Sequence, residues 1–207
     1  MSSKPIRVLF VDDHPIVRAG FAAMIAAERN MVSIGEVATG EEGIKLFRHL
    51  RPDVAVLDLK LPGMDAVAAT RAIRADFPEA RILILTIYEG DEDIRSAMEA
   101  GVRGYVLKHA VRHELMQAIR IVNEGGRYFP AKVLEAMRDH PPSVLTDREK
   151  EILKCLADGQ QNKDIANALD ISINTVKIHV ARILTKLEVP DRMHAVISAI
   201  RRGIVRL

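Results

Sequence analysis

The sequence predicts an α/β domain, a doubly wound parallel sheet of five strands, followed by a small all-α domain. Short apolar, β-branched runs at 6–11, 31–37, 54–58, 81–86 and 104–107 alternate with segments of helical periodicity at 15–28, 41–50, 65–75, 91–99 and 112–124. Near-continuous apolar strands separated by helices are how a parallel sheet covered on both faces reads in sequence. From 143 onward no such run occurs, only amphipathic helical segments joined by short turns. Between the two regions, Gly125–Gly126 ends the last helix of the first, and Pro130, Pro141 and Pro142 bracket an apolar-polar segment, 131–140. The domains are therefore drawn as 1–127, a linker with a short helix at 128–142, and 143–207.

Each element has a local reason. The first strand, IRVLFV, is followed by Asp12–Asp13 and His14, and Pro15 suits the opening turn of a helix. Here His14 reads as a loop residue rather than a ligand. After the third strand, Pro62–Gly63 marks a tight turn whose backbone can approach a bound group closely. In the second domain Thr146 and Glu149 form a capping box for a helix that runs to Ala157 and stops at Gly159. A second short helix, 163–169, ends before Asp170-Ile171-Ser172, and a third begins near Ile173. Two helices joined by a tight turn make a helix-turn-helix.

Composition narrows the class. At 207 residues with 48% hydrophobic content, the chain suits two modest domains rather than disorder. No apolar stretch approaches the roughly 18 residues of a membrane span, and MSSKPIRVLF enters the first strand without a signal-peptide core, so a cytoplasmic protein with no membrane partner is expected. Cys155 is the single cysteine, which excludes an internal disulfide or a cysteine-rich zinc site; beside Ile152, Leu153 and Leu156 it reads as a small buried core thiol. Residues 143–207 carry 11 Lys and Arg against 8 Asp and Glu, so the net positive charge resides there. That balance suggests an anionic partner, although weakly by itself.

Asp12, Asp13, Asp58, Thr86 and Lys108 all fall at or just past strand ends. In a parallel sheet the C-terminal strand ends converge on the crevice where ligands bind. Any one of these residues could be an ordinary solvated loop residue; five in this arrangement describe a pocket. Three crowded carboxylates repel one another unless a cation neutralises them, and oxygen ligands suit Mg²⁺. The backbone carbonyl of Lys60 could complete the metal shell. With no glycine-rich loop of the nucleoside-triphosphate type, the phosphoryl group such a site handles must come from another molecule.

The order Asp12–Asp13, Asp58 within VLDLKLPGMD, Thr86 within ILILTIY and Lys108 within GYVLKH resembles the receiver domain of bacterial two-component response regulators over residues 5–127. The resemblance implies a flavodoxin-like sheet of order 2-1-3-4-5. It implies that Asp58 accepts a phosphoryl group from a sensor histidine kinase, with Asp12 and Asp13 holding Mg²⁺. Lys108 would pair with the phosphoryl oxygens, Thr86 would turn toward them, and Tyr105 matches the aromatic position that swings with the threonine. A half-buried edge-strand tyrosine explains Tyr105 nearly as well. Three positions depart from the family pattern: Ala66 stands where glycine is usual, Ile87 where a small residue is common, and His109 where many receivers have a cis proline. None removes a charge from the pocket. The isomer of the Lys108–His109 bond is open at this stage.

Residues 143–207 resemble the LuxR-type DNA-binding domain, through LTDREKEILKCLADGQQNKDIANALDISINTVKIHVARILTKLEV, and the whole chain resembles a regulator of the NarL/FixJ type. On the third helix Val176, Val180, Ile183, Leu184 and Leu187 share one face, the core side. Asn174, Ile178, Ala181, Arg182 and Thr185 face away, flanked by Lys177 on one edge and by Lys186 and His179 on the other. A helix with small, polar and apolar groups mid-face and cations at its edges suits the major groove of double-stranded DNA. The candidate DNA contacts are Asn174, Thr175, Lys177, Ile178, Arg182 and Lys186. Ala181 replaces a longer polar residue of some relatives, and His179 fits either a phosphate contact or the core edge. The amphipathic segment 191–202, with Met193, Val196, Ile197 and Ile200, serves either the core or, as in the family, pairing into a homodimer.

These features favour a DNA-binding transcription regulator that dimerises on phosphorylation, and not an enzyme. An enzyme working through an aspartyl phosphate would need a substrate pocket and a separate general acid, neither evident in the sequence. A DNA-binding protein indifferent to phosphorylation would have no need of the intact five-residue set.

Overall fold

In a computed structural model of the chain, residues 4–87, 90–109, 112–131, 134 and 145–205 are described. They divide into two compact units, one carrying the sheet and one carrying the C-terminal helices. The short helix expected at 131–140 falls mostly outside the described residues.

The first unit alternates strand and helix: β1 (Ile6–Val11), α1 (Pro15–Ala26), β2 (Met31–Val37), α2 (Gly40–Leu50), β3 (Val54–Asp58), α3 (Ala66–Asp76), β4 (Ile82–Thr86), α4 (Asp91–Ala100), β5 (Gly104–Leu107) and α5 (Arg112–Asn123). All strand pairings are parallel, in the order β2-β1-β3-β4-β5. The chain begins near the middle of the sheet, winds outward to β2, then crosses to β3 and continues the other way. The reversal lies between β1 and β3, where ligand crevices form in such sheets.

Alternation along the strands separates two cores. Val8, Phe10, Val54, Val56, Leu83, Leu85 and Val106 pack with Phe21 and Ile25 of α1 and with Leu115, Met116, Ala118, Ile119 and Val122 of α5. Phe10 stacks on Phe21 with ring centroids 3.9 Å apart. On the opposite face α2 comes so close to β1 that a Cβ on Gly43 would sit 2.9 Å from Val11. Phe47 of α2 meets Phe77 after α3. Every residue of β3 and β4 is buried, which explains their unbroken apolar character. Helix starts follow local chemistry: Thr39 and Glu42 form a capping box for α2, and Asp65 caps α3.

The second unit holds α6 (Asp147–Ala157), α7 (Asn162–Ala168), α8 (Ile173–Leu187) and α9 (Arg192–Arg201) around one core that includes Leu145, Ile152, Leu153, Ile165, Val176, Ile183 and Ala199. The Thr146–Glu149 capping box is present, Gly159 after α6 has φ +79°, and Ser172 caps α8 through the Thr175 amide. Cys155 is only partly buried and packs at the core margin, not inside it as expected, because its place on α6 lies beside the face that Ile152 and Leu156 turn inward. Among the described residues no helix is long and apolar enough to cross a membrane.

Candidate functional site

The neighbouring strands β1, β3, β4 and β5 deliver their C-terminal ends side by side. Asp12 follows β1, Asp58 closes β3, Thr86 closes β4 and Lys108 follows β5. Lys108 Nζ lies 2.7 Å from Asp58 Oδ2 and 2.7 Å from Asp12 Oδ2, bridging two carboxylates that are both buried. The Lys108 amide donates to the Thr86 carbonyl at 2.7 Å, tying the lysine to the end of β4. Asp12 is held from behind: its amide donates to Val37 O, and Arg18 donates to its carbonyl at 2.6 Å. Asp13 stands exposed at the rim, and Asp13, Asp58, Lys60, Ile87 and Lys108 line a cleft of about 450 Å³.

Burial pushes the Asp58 carboxyl above its ordinary value, outweighing the hydrogen bond and charge of Lys108; the nearby Asp12 charge pushes the same way. Burial would lower the Lys108 ammonium, but its bonds to Asp12 and Asp58 outweigh that and raise it, keeping it charged. The Lys60 backbone beside Asp58 pulls its value the other way, to a smaller extent. Asp12, Asp13, His14 and Asp58 each offer one ligand atom, all within 4.8 Å of one another. The carboxylate oxygens of this set, beside the half-buried Lys108, fit a hard divalent cation such as Mg²⁺.

His14 lies in the loop, as expected, at the cap position of α1, where its amide donates to Asp12 Oδ1, and its ring Nδ1 lies 2.6 Å from Asp13 Oδ1 and 3.2 Å from Asp12 Oδ1. Its adjacency to two acids was the available signal. Tyr105, read in sequence as the switch aromatic or else as a half-buried edge-strand tyrosine, is fully buried, which removes the second reading: β5 is not a bare edge, since Tyr128 pairs with its outer side. The Lys108–His109 bond is trans.

On α8 the predicted core face holds, with Val176, Ile183 and Leu187 buried and Val180 and Leu184 packed against them. Asn174, Lys177, Ile178, Ala181, Arg182 and Thr185 are exposed. Thr175 is half-buried with its hydroxyl on Ser172, and Thr185 donates to Ala181 O. His179 is half-buried with Nδ1 shielded, which places it toward the core edge. Lys186 Nζ lies 2.7 Å from Oε2 of Glu149, a carboxylate almost fully buried on α6. This pairing was missed in sequence because 37 residues separate the partners.

A 2-1-3-4-5 parallel sheet with an acid-lysine pocket at its strand ends, joined to a helix-turn-helix unit, defines the class of two-domain signalling regulators. Residues 8–120 match the family model of the response regulator receiver domain, and residues 143–199 match that of the bacterial regulatory proteins of the luxR family. The chain belongs to the two-component response regulators with a LuxR-type DNA-binding domain, the NarL/FixJ type. Among similar proteins, the response regulator VraR of Staphylococcus aureus is 39% identical, over 97% of this chain and 99% of its own. The crystal structure of ChrA, a response regulator of a heme-sensing two-component system, is 35% identical, covers 98% of this chain and 100% of its own, and superposes with a TM-score of 0.60. RcsB from Salmonella enterica serovar Typhimurium, solved on a promoter in the presence of a phosphomimetic, shares the fold at 24% identity and a TM-score of 0.72, over 94% and 98% of the two chains.

Proposed function

We propose that this DNA-binding response regulator is switched by phosphorylation of Asp58 by a sensor histidine kinase, and that the switched form pairs into a homodimer on double-stranded DNA in the cytoplasm. The observation that carries this reading is Asp58 itself: a buried strand-end carboxylate facing one lysine shared with Asp12 and open to a cleft. In the transfer, an Asp58 carboxylate oxygen attacks phosphorus, the bond from phosphorus to the donor histidine nitrogen breaks, and an acyl phosphate forms. Mg²⁺, held by Asp12, Asp13, Asp58 and the Lys60 carbonyl, supplies charge neutralisation for the phosphoryl oxygens. Lys108, already charged and central, then leaves its carboxylates for the phosphoryl oxygens, and the Thr86 hydroxyl turns toward them with Tyr105 as the companion aromatic. Because the chain hydrolyses no separate substrate in this scheme, it acts as a switch and not as an enzyme.

On DNA, Lys177 and Ile178, with Asn174 and Arg182 beside them, present the exposed face of α8 to base edges and phosphates. Thr175 and Lys186 are engaged within the unit and shape the presentation of that face. Pairing is supported by α9, whose Met193, Ile197 and Ile200 are 69%, 48% and 40% exposed in one stripe. One short recognition helix per chain binds weakly, and a second copy raises avidity without new contacts.

Incubation with Mg²⁺ and a small acyl-phosphate donor, followed by intact mass and a DNA mobility shift, tests the reading. One phosphoryl mass per chain and tighter DNA binding are expected, with Asp58→Asn losing the mass while remaining folded. An Asp58→Asn protein labelled as fast as wild type would sink the assignment.

A further inference from the structure

We propose that Tyr128 is a positioning residue that couples the phosphoacceptor pocket to the DNA-binding half, by fastening the start of the connecting segment to β5 and α5, the two elements that follow one another around Lys108. The proposal rests on the reading that phosphorylation of Asp58 governs DNA binding.

By strand order, β5 ends the sheet, with one side free of any strand among β1–β4. That side is occupied by the chain's own continuation. After α5, Gly125 turns with φ +88°, a backbone region that favours glycine, and the amides of Gly125 and Gly126 donate to Val122 O and Ile121 O. The reversed chain then lies parallel to β5: the Tyr105 amide donates to Tyr128 O at 2.9 Å, and the Tyr128 amide donates to Arg103 O at 2.9 Å. The Tyr128 ring packs against the core shared by α1 and α5, with its hydroxyl on the side of the Glu114 charge in the first turn of α5. Burial, then the Glu114 charge, raise the Tyr128 hydroxyl above its usual value, as expected for a shielded tyrosine near a carboxylate.

Tyr128 thus grips both segments that flank the lysine. Lys108 directly follows the four-residue strand whose Tyr105 amide it holds, and Glu114 begins the helix after Lys108. A shift of Lys108 and Thr86 toward a phosphoryl group bears on β5, and a hydrogen-bonded neighbour moves with the strand where a slack loop would absorb the change. The residues that lead to the second unit depart directly from that neighbour. Covering the sheet edge would by itself be a structural role; it would lower receiver stability but leave the ratio of DNA affinities with and without phosphoryl unchanged.

The experiment compares full-length wild type with Tyr128→Phe, Tyr128→Ala and Tyr128→Pro. Asp58 labelling by a small acyl phosphate with Mg²⁺ is read by intact mass, and duplex affinity is read with and without the donor. Tyr128→Phe keeps ring and backbone bridge and should retain most of the wild-type affinity ratio. Tyr128→Pro deletes the amide that donates to Arg103 O; its ratio should fall to about one while labelling stays within about twofold of wild type, with Tyr128→Ala between. A Tyr128→Pro protein with the wild-type ratio, or one that loses labelling along with coupling, overturns the proposal. Should Tyr128→Pro fail to fold, an unchanged ratio in Tyr128→Ala overturns it equally. Wild type that labels without any change in DNA affinity overturns instead the reading beneath it.

Discussion

Asp58 in the first unit and Glu149 in the second are both buried carboxylates with a lysine ammonium at 2.7 Å, yet their protonation is biased in opposite directions. Around Glu149, burial pushes the carboxyl up, but the Lys186 ammonium together with the amide and hydroxyl of Thr146 outweighs it and the value ends below the ordinary range. Around Asp58, burial wins, and Lys108 is divided between Asp58 and the competing anion Asp12. The lesson concerns stoichiometry more than distance. One carboxylate with a lysine and a cap of its own is satisfied and structural; two carboxylates sharing one lysine are left wanting positive charge, which is what a site that receives a cation and a phosphoryl group requires.

Breaking the satisfied pair gives the largest expected effect. Lys186→Ala leaves Glu149 buried without its counter-charge, and unpairing a buried ion costs about 3–5 kcal/mol; with Lys186 partly exposed, the lower end, about 3 kcal/mol, is expected. Calorimetry should show the helical unit melting earlier with the sheet unit unmoved, and Lys186→Arg should recover much of the loss. If Lys186→Ala melts as wild type but lowers the salt dependence of DNA binding by about one phosphate contact, Lys186 acts on DNA and the structural reading of the pair is wrong. Next in size, Lys177→Ala removes an exposed candidate base contact without touching the core. Specific binding should weaken by about 1–3 kcal/mol, roughly 5–150-fold, with the melting profile unchanged. Equal affinity of mutant and wild type for the specific duplex would take Lys177 out of the interface.

The pocket was legible in sequence because parallel strand ends carry their chemistry in sequential order: an acid pair, an acid, a hydroxyl and a lysine each close an apolar run. Strand boundaries for β1, β2, β3 and β5 agree with the structure; β3 and β5 are buried throughout, whereas β2, at the sheet edge, buries only Met31 and was bounded by its flanking polar and turn residues. The face of α8 was legible through its 3.6-residue repeat. What escaped were long-range pairings of residues that carry no local pattern. Lys186 looked like a surface cation, and only the packing of α6 against α8 shows its partner. A half-buried edge position stood as the alternative for Tyr105 because strand order alone hides the return of the chain at Tyr128. His14 is the loop residue that its sequence suggests; its local contacts, amide and ring to the two acids just before it, were also not read from the sequence.

In the unsatisfied pocket, removing charge should help the fold. With EDTA present, Asp58→Asn leaves Asp12 as sole owner of Lys108, and the sheet unit should melt a few degrees higher than wild type; a lower midpoint would mean that the Lys108–Asp58 bond outweighs the cost of burying Asp58.

The smallest effect separates the two carboxylates by sign. Glu149, with its folded value lowered, contributes stability that is present above the unfolded carboxyl value of about 4.3 and is lost as pH falls through the lower folded value. Asp58, with its folded value raised, does the reverse: above that value its buried charge costs stability, and the cost is relieved as pH falls through it toward the unfolded value of about 3.9. Acidification from neutrality toward the raised Asp58 value, without divalent ions, therefore begins to relieve Asp58 while the Glu149 pair, whose value lies below the ordinary range, stays intact. The difference between wild type and Asp58→Asn cancels every other titrating group, so it isolates this contribution. Two-transition calorimetry at both pH values should show the gain of Asp58→Asn in the sheet unit shrinking on acidification, with the helical unit equal in both proteins. A gain that stays constant between the two pH values would mean that Asp58 does not titrate between them, and the contrast with Glu149 would then rest on geometry alone.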